Sequence, residues 1–163
     1  MQAWDIASPL VGVGIIGTIA QESGSFAPVR EAWWLSEQAR LAYYNDTSQH
    51  AAYGGGPEYH GRCFVQLTHR SNYQAAQDAI NARMGWNLDL VGNPDKALDP
   101  TVAAHIICWY FASKGIVPFC EAQNWAEVRR RVWGGSGDTV GLGKLQFAAG
   151  RLIPLAQQRG FLA

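Results

Sequence analysis

The segment YHGRCFVQLTHRSNY, residues 59–73, contains the one good strand candidate in the sequence. Its centre, CFVQLT at 63–68, alternates apolar and polar side chains, which predicts a short β-strand. On a strand, Gln66 and Thr68 share one face and the apolar side chains between them point to the core. The alternation therefore places a row of polar side chains on one face of the predicted strand.

The rest of the chain is predicted to be helical from the spacing of its apolar residues and from helix-end signals. Ser8-Pro9 begins an apolar run that predicts a helix to about Glu22, ended by Gly24 and Pro28. The other predicted helices cover 30–44, Ser71 with Gln74 as a capping box to about Met84, Asp99-Pro100 to Lys114-Gly115, Asn124 with Glu127 to Gly134-Gly135, and about Gly141 to Gln158 with a kink at Pro154. The prediction is one mainly α domain over residues 1–163, with a small β element.

Composition excludes one class of partner and suggests another. The chain has 163 residues, with 13 Lys and Arg balanced by 13 Asp and Glu, so a duplex nucleic-acid binder is not expected. It also has 7 Trp, 6 Tyr and 6 Phe. These aromatics suit a core, and they also suit a groove that stacks on sugar rings.

The cysteines and the N-terminus point to synthesis in the cytoplasm. Cys63, Cys108 and Cys120 are odd in number and form no CxxC pair, so reduced thiols are predicted. The N-terminal apolar run is short and is preceded by Asp5 without Lys or Arg, which argues against a signal peptide or a membrane span. A protein of this kind acts on an extracellular target only after release.

Metal, phosphate and nucleophile motifs are weak, so neither a metal nor a cofactor is predicted. Gly54 to Gly56 are not followed by GK[ST], and Ser23 lacks the GxSxG elbow. Cys63, with two histidines near it in sequence, leaves a cysteine peptidase as a faint alternative. The histidines form no HExxH and no i, i+4 pair: His50, His60, His69 and His105.

Carboxylates remain as candidates for catalysis. Glu22 ends an apolar helix, where burial would favour the protonated form that a general acid needs, although a surface glutamate is an equal alternative by position. Ser23, Gly24 and Ser25 then leave room for a substrate. Glu31 would lie about 13.5 Å further along a straight helix, too far for an acid and base pair, but the chain break before it could return it. Glu58, in a glycine-rich loop, is the other candidate, with a solvated loop acid as its alternative.

Four segments resemble family 19 glycoside hydrolases, the chitinase-like enzymes, and phage endolysins that share their domain. AQESGSF (20–26) resembles HE-[ST]-GG, and YHGRCFVQLTHRSNY resembles YYGRG-x-IQLT-x-x-x-NY. GNPDKALDPTVAAHIICWYF (92–111) resembles NPD…DP…A…WFW, and VRRRVWGG (128–135) resembles IT-x-x-INGG. The short length and the lack of a secretion signal look more like an endolysin than a plant chitinase.

The resemblance implies a lysozyme-like fold, with a helical lobe carrying Glu22, a β element opposite and a groove between them. It makes Glu22 the general acid, Glu31 the second glutamate, and Lys144 a counterpart of the family's groove arginine. It places three polar residues along the sugar groove, where they help to position water: Gln66, Thr68 and Asn72. Glu58 stays as the alternative base and as a groove residue.

Three positions depart from the family pattern. Gln21 replaces the histidine beside the acid, and Cys63 replaces the second glycine of GRG. Trp133 replaces the asparagine of INGG and is expected to stack on a sugar as a groove wall.

The predicted function is a peptidoglycan-degrading endolysin that cuts β-1,4 glycosidic bonds by general acid and base catalysis. A chitinase acting on N-acetylglucosamine polymers is the alternative, and the change at Trp133 leaves a non-catalytic glycan-binding module as a third. The expected partner is the peptidoglycan glycan strand, with no nucleic acid, no membrane insertion and a monomeric state.

Overall fold

The computed structural model describes residues 1–24, 26–48, 52–135 and 137–162, and within them the protein is mainly α. Ser25 and His50, named above, lie outside the described residues. Short 3-10 helices cover Gln2–Trp4, Pro57–Tyr59 and Pro94–Leu98. The α-helices are α1 (Pro9–Ser23), α2 (Glu37–Asn45), α3 (Arg70–Met84), α4 (Pro100–Ser113), α5 (Val117–Glu121), α6 (Trp125–Trp133) and α7 (Thr139–Gln158).

The chain divides into two compact units, each with its own buried residues. The first unit comprises Met1–Phe26 and Ile107–Ala163, and the second comprises Ala27–Ile106. The boundary falls within α4. The assignment of 1–163 to one domain stays a prediction.

In the first unit, glycines let α1 lie close to its neighbours. A Cβ added at Gly17 would come within 2.5 Å of Leu145 Cδ1 on α7, and one at Gly14 within 2.6 Å of Cys120 Sγ on α5. The apolar run of α1 is buried in this contact, as the sequence predicted for it. Close backbone approach at these two glycines therefore positions α1, whose last turn carries Glu22, against α5 and α7.

In the second unit, the segment predicted as a strand is instead a tight turn. Among the described residues, β pairing is limited to one antiparallel bridge, in which Arg62 and Leu67 exchange backbone hydrogen bonds of 3.2 and 2.8 Å. Cys63 and Gln66 have φ of 79° and 52°, in the left-handed region that extended strands exclude. The strand prediction for 63–68 is wrong, although Leu67 is buried as expected.

Two helix starts also differ from prediction. The helix predicted over 30–44 begins at Glu37, because residues 31–34 form turns and Ala32 has a φ of 53°. The capping box of Ser71 and Gln74 does not form, because α3 already begins at Arg70. Before α2 the turn residues override the apolar spacing that predicted an earlier start, whereas α3 begins one residue before its predicted cap.

The other helix ends agree closely with the sequence. The Asn124 side chain accepts from the Glu127 N–H at the start of α6, and Gly134 ends this helix with a φ of 78°. The Asp99 carboxylate accepts from two N–H groups at the start of α4. The short helix α5 was not predicted.

Within the described residues, no helix is long and apolar enough to cross a membrane. The three cysteines are free and buried. Burial raises the pKa of the Cys63 thiol to about 12, which removes the thiolate that a cysteine peptidase would need.

Candidate active site

In the first unit, Glu22 forms an ion pair with a buried arginine. Its Oε1 accepts a hydrogen bond from Arg129 Nη1, and the Arg129 side chain is only 7% exposed. Glu22 lies in the last turn of α1 and keeps 18% of its side chain exposed. The carboxylate is thus fixed in direction while one part of it stays accessible, and its surroundings are less apolar than the sequence suggested.

Arg129 also binds a second carboxylate. Its Nε and Nη2 both lie 2.5 Å from Asp138 Oδ2. Asp138 is the N-cap of α7, where its Oδ1 accepts the Gly141 N–H at 2.9 Å. The Gly141 N–H and then the Arg129 guanidinium hold the pKa of Asp138 below its usual range. Asp138 therefore positions Arg129 as a charged acceptor.

Trp133 lies next to this cluster and is not a core residue. Its side chain is 52% exposed, and its ring packs over Gly135. It lines a cavity of about 200 Å³ together with Arg129 and Asp138. Its stacking on a sugar stays a prediction, and its position beside the arginine is consistent with it.

Lys144 does not contact Glu22 through any described hydrogen bond or ion pair. It is exposed on α7, where its charge adds to the lowering of the Asp138 pKa. Among the described residues, the cation that contacts Glu22 is Arg129 on α6.

In the second unit, Glu31 is held by donors from two sides. Its Oε2 accepts the Gly61 N–H at 2.8 Å and its Oε1 accepts the Tyr43 hydroxyl at 3.2 Å. Its backbone is fixed as well, because its N–H donates to Gly61 O at 2.7 Å and the Tyr44 hydroxyl donates to its carbonyl at 2.7 Å. The carboxylate is therefore locked in one orientation.

Tyr43 and Tyr53, near Glu31, have raised pKa values and stay protonated, and Tyr43 donates to the carboxylate. Burial and then the charge of Glu31 raise the pKa of Tyr43 to about 12. Burial and then Glu31 also raise the pKa of Tyr53. The Tyr43 hydroxyl therefore remains a donor to Glu31 Oε1, and such a hydrogen bond helps to orient a carboxylate that acts as a general base.

Gly61 brings three of the predicted site residues together. A Cβ built there would lie 2.7 Å from Gln66 Oε1, 3.2 Å from Thr68 Oγ1 and 3.3 Å from Glu31 Cβ. Asn72 is joined to the same group, since its Nδ2 donates to Thr68 O at 2.7 Å. The turn at 62–67 thus gathers the polar row that a strand was expected to carry.

Glu58 lies apart from this group. It is in the 3-10 helix Pro57–Tyr59, is exposed, and its carboxylate folds over Gly56. It lines another cavity in the same unit, with His60 and Asp95. The contacts of Glu31 and Glu58 therefore differ, and only Glu31 is joined to Gln66 and Thr68.

Four features of the site were not predicted from the sequence: Arg129, Asp138, Tyr43 and the role of Gly61. A signal existed for Arg129, which stands between the buried positions Val128 and Val132 of a short helix. A charge on a buried helix face calls for a partner. Among the described residues, no group of three or more His, Cys, Asp or Glu could hold a metal ion.

The sequence profile of the class I chitinases, glycoside hydrolase family 19, matches residues 15–127. The chain belongs to this family. The match includes both Glu22 and Glu31, together with the turn at 62–67.

Curated relatives are plant chitinases. The chain is 38% identical over 91 residues to Chitinase 11 of Oryza sativa subsp. japonica, covering 55% of this chain and 31% of that protein. It is 42% identical over 66 residues to Chitinase 8 of the same rice, covering 39% and 23% respectively. The chain thus spans about a third or less of the length of the curated relatives that it matches.

Solved structures share the fold. Chitinase C from Streptomyces griseus has a TM-score of 0.61 at 23% identity, over 88% of this chain and 72% of that one. A chitinase C mutant gives a TM-score of 0.61 at 22% identity, with the same coverage. The predicted fold class, mainly α and lysozyme-like, is confirmed.

Proposed function

We propose that this chain hydrolyses β-1,4-linked N-acetylglucosamine polymers of the chitin type. Membership of family 19 and the chitinase names of its relatives support this substrate class. The observation that carries the proposal is the environment of Glu31, whose carboxylate is fixed by the Gly61 N–H and the Tyr43 hydroxyl beside Gln66 and Thr68. A carboxylate so held, with amide and hydroxyl groups around it, suits water activation near a sugar.

In this proposal Glu22 donates the proton to the leaving glycosidic oxygen. Arg129 sets the direction of its carboxylate, and Asp138 sets the direction of Arg129. Side chains locked by such hydrogen bonds need no reorganisation when the reaction begins, which lowers the activation free energy.

Glu31 is the proposed base that activates the attacking water. Because water and not the enzyme then forms the new bond to the anomeric carbon, the reaction should invert that centre. Gln66, Thr68 and Asn72 supply amide and hydroxyl groups for the sugar or for that water, and Trp133 offers a face for stacking. No metal or cofactor is required by this chemistry.

Peptidoglycan, the first substrate predicted from the sequence, stays a prediction. Its glycan also contains N-acetylglucosamine, so the same acid and base could serve it. A monomeric state and release from the cytoplasm were predicted together with peptidoglycan as the substrate, and they also stay predictions.

The test is to incubate the protein with soluble chitin oligomers and, separately, with a purified peptidoglycan suspension. We expect cleavage of the oligomers, with products identified by mass spectrometry. Glu22→Gln keeps the size and the hydrogen bond of the side chain but cannot donate the proton, so activity should fall at least about 100-fold. Glu121→Gln, an exposed change on α5, is the matched control and should be fully active.

Each other outcome has a definite meaning. Cleavage of peptidoglycan without cleavage of chitin oligomers would replace the proposed substrate with the predicted one. Binding to either polymer without any cleavage would indicate a glycan-binding module. A fully active Glu22→Gln protein would remove Glu22 from the mechanism.

A further inference from the structure

A polar cavity of about 580 Å³ lies in the second unit, and Gly61, Gln66 and Thr68 are not among its lining residues. This volume is within the ~300–1,000 Å³ that is typical of small-molecule pockets. Six of its lining residues have side chains that could bind a ligand through hydrogen bonds, charge or ring stacking: Arg30, Arg40, Tyr44, Glu58, His60 and Asp95.

Charges of both signs line the cavity: two arginines, and three carboxylates that include Glu37. The buried Arg62, which pairs with Asp95, brings the cluster to three positive against three negative charges, which argues against an ionic ligand. Asp95 accepts two hydrogen bonds from Arg30, at 2.9 and 2.8 Å, and one from the buried Arg62 at 2.8 Å. Arg40 brings a further positive charge, and its described hydrogen bond is to the carbonyl of Leu35. Because Glu58 lines the cavity as well, an anion would meet a carboxylate and a cation would meet Arg30 and Arg40.

His60 contributes an acceptor that has no described partner. The residue is 5% exposed, and its Nδ1 lies 2.9 Å from Pro57 O, an acceptor that fixes the proton on Nδ1. Its Nε2 is buried and has no hydrogen-bond partner among the described residues. Burial, and then the charge of Arg62, lowers the pKa of His60 to about 4, so the ring is neutral near pH 7 and its Nε2 carries a lone pair.

The cavity also has apolar surfaces beside these polar groups. Tyr44 stacks on the His60 ring at 3.7 Å between centroids, which holds the imidazole in one plane. Leu41 and Pro57 line the cavity next to them. Alternating apolar and hydrogen-bonding surfaces suit a ligand that has CH faces and hydroxyl groups on one ring.

We propose that this cavity is a second saccharide site, which binds a neutral sugar of one or two rings. Arg40 donates to sugar oxygens, and Glu58 accepts from sugar hydroxyls. A small shift of the imidazole lets Nε2 accept one more hydroxyl. Neither Glu22 nor Glu31 is among the residues that line this cavity, and the proposal does not depend on hydrolysis by them.

The test uses the full chain carrying Glu22→Gln, so that hydrolysis cannot obscure binding. The protein is labelled with ¹⁵N-histidine, and the His60 Nε2 resonance is assigned by its loss in His60→Gln. N-acetylglucosamine is then titrated, with glucosamine as a cationic probe and inorganic phosphate as an anionic one. We expect the Nε2 resonance to move with N-acetylglucosamine and to move less with either ion.

Arg40→Met removes the charged donor but keeps a similar stem, and should raise the Kd for N-acetylglucosamine at least about fivefold. Arg83→Met, an exposed change on α3 outside the cavity, is the matched control and should leave the Kd within about twofold. The proposal is overturned by an unmoved Nε2 resonance at saturation, by a stronger response to phosphate or glucosamine, or by equal Kd values for the two variants. Cleavage of chitin oligomers is measured separately, in the protein that keeps Glu22. The proposed hydrolysis and the proposed second saccharide site can therefore fail independently.

Discussion

Glu22 and Arg129 are 107 positions apart in the sequence and form an ion pair in the first unit. The same guanidinium binds Asp138, so one buried cation serves two carboxylates. Because the cation is buried, its removal would leave two neighbouring negative charges without compensation. This pair therefore contributes to stability and fixes a proposed catalytic side chain.

The first prediction concerns Arg129→Met. The substitution should lower the free energy of unfolding by about 2 kcal/mol, less than the ~3–5 of fully buried pairs, because each carboxylate side chain keeps 18% exposure. It should also lower kcat at least about tenfold, because Glu22 loses its fixed direction. Urea unfolding and hydrolysis of chitin oligomers measure the two effects.

Arg130→Met is the matched control on the same helix. Arg130 is 51% exposed and pairs with Glu127, so its loss should change stability much less than the loss of Arg129 does. Similar losses of stability in the two variants would show that the buried ion pairs of Arg129 stabilise the protein no more than the exposed pair of Arg130 does.

The second prediction concerns Gly141→Ala on α7. Replacing a helical glycine with alanine normally stabilises a protein by about 0.5–1 kcal/mol. At Gly141 the new Cβ would collide with Asp138 Oδ2 and lie 2.5 Å from Arg129 Nε, so both partners would have to move. We expect destabilisation of about 1–3 kcal/mol and a loss of activity.

Gly143→Ala tests the same change two residues further along α7. Nothing lies within 4 Å of a Cβ at Gly143, so this variant should be as stable as the original protein or more stable. Thermal unfolding compares them, and a stabilising Gly141→Ala would contradict the described packing of Asp138 and Arg129.

Local signals predicted much of the helical fold. Asn124, Asp99 and Gly134 act at helix ends through short-range hydrogen bonds or through a left-handed φ, which neighbouring residues determine. The turn at 62–67 was missed because apolar and polar alternation predicts extended backbone, whereas the φ values of Cys63 and Gln66 are set by the tertiary structure.

The candidate site was predictable only in part. Glu22, Glu31, Gln66 and Thr68 stand within motifs that can be quoted from the sequence. The contact of Glu22 with Arg129 joins distant segments, and no local pattern specifies such a partner. A buried charge on α6 indicated that a partner existed, but only the structure identifies it.

The third prediction separates Glu31 from Glu58 as the proposed base. Glu31→Gln should lower kcat at least about 100-fold with KM within about threefold, because a base acts mainly in the transition state. Glu58→Gln should reduce kcat only a few fold, since Glu58 is exposed and lies over Gly56. Steady-state kinetics on chitin oligomers measure both, and an inactive Glu58→Gln beside an active Glu31→Gln would reverse the assignment.

Tyr43→Phe adds a test of how Glu31 is held. The change removes the hydroxyl that donates to Oε1 but leaves the Gly61 N–H on Oε2. We expect kcat to fall about 3- to 30-fold without a matching change in KM. If the base role belongs elsewhere, kcat should stay the same.

The last prediction concerns the acid stability of the second unit. Burial and Arg62 lower the pKa of His60 from 6.5 to about 4, with Arg30 acting in the same direction and Asp95 against it. Between these two pH values the unfolded chain binds a proton that the folded chain excludes, so stability rises with pH through this window. The contribution is complete above about pH 6.5 and is lost as the pH falls towards 4, by up to about 3 kcal/mol.

Urea unfolding at pH 7.0, 5.5 and 4.5 should therefore show a steeper loss of stability in the original protein than in His60→Gln. Burial also lowers the pKa of His105, but this residue is present in both proteins and cancels in their difference. The lowered pKa values of Asp95 and Asp138 act below pH 3.8, where those groups titrate when unfolded, and so lie outside the window. Since Gln carries no charge across this range, parallel curves for the two proteins would show that the His60 ring is not held neutral by burial.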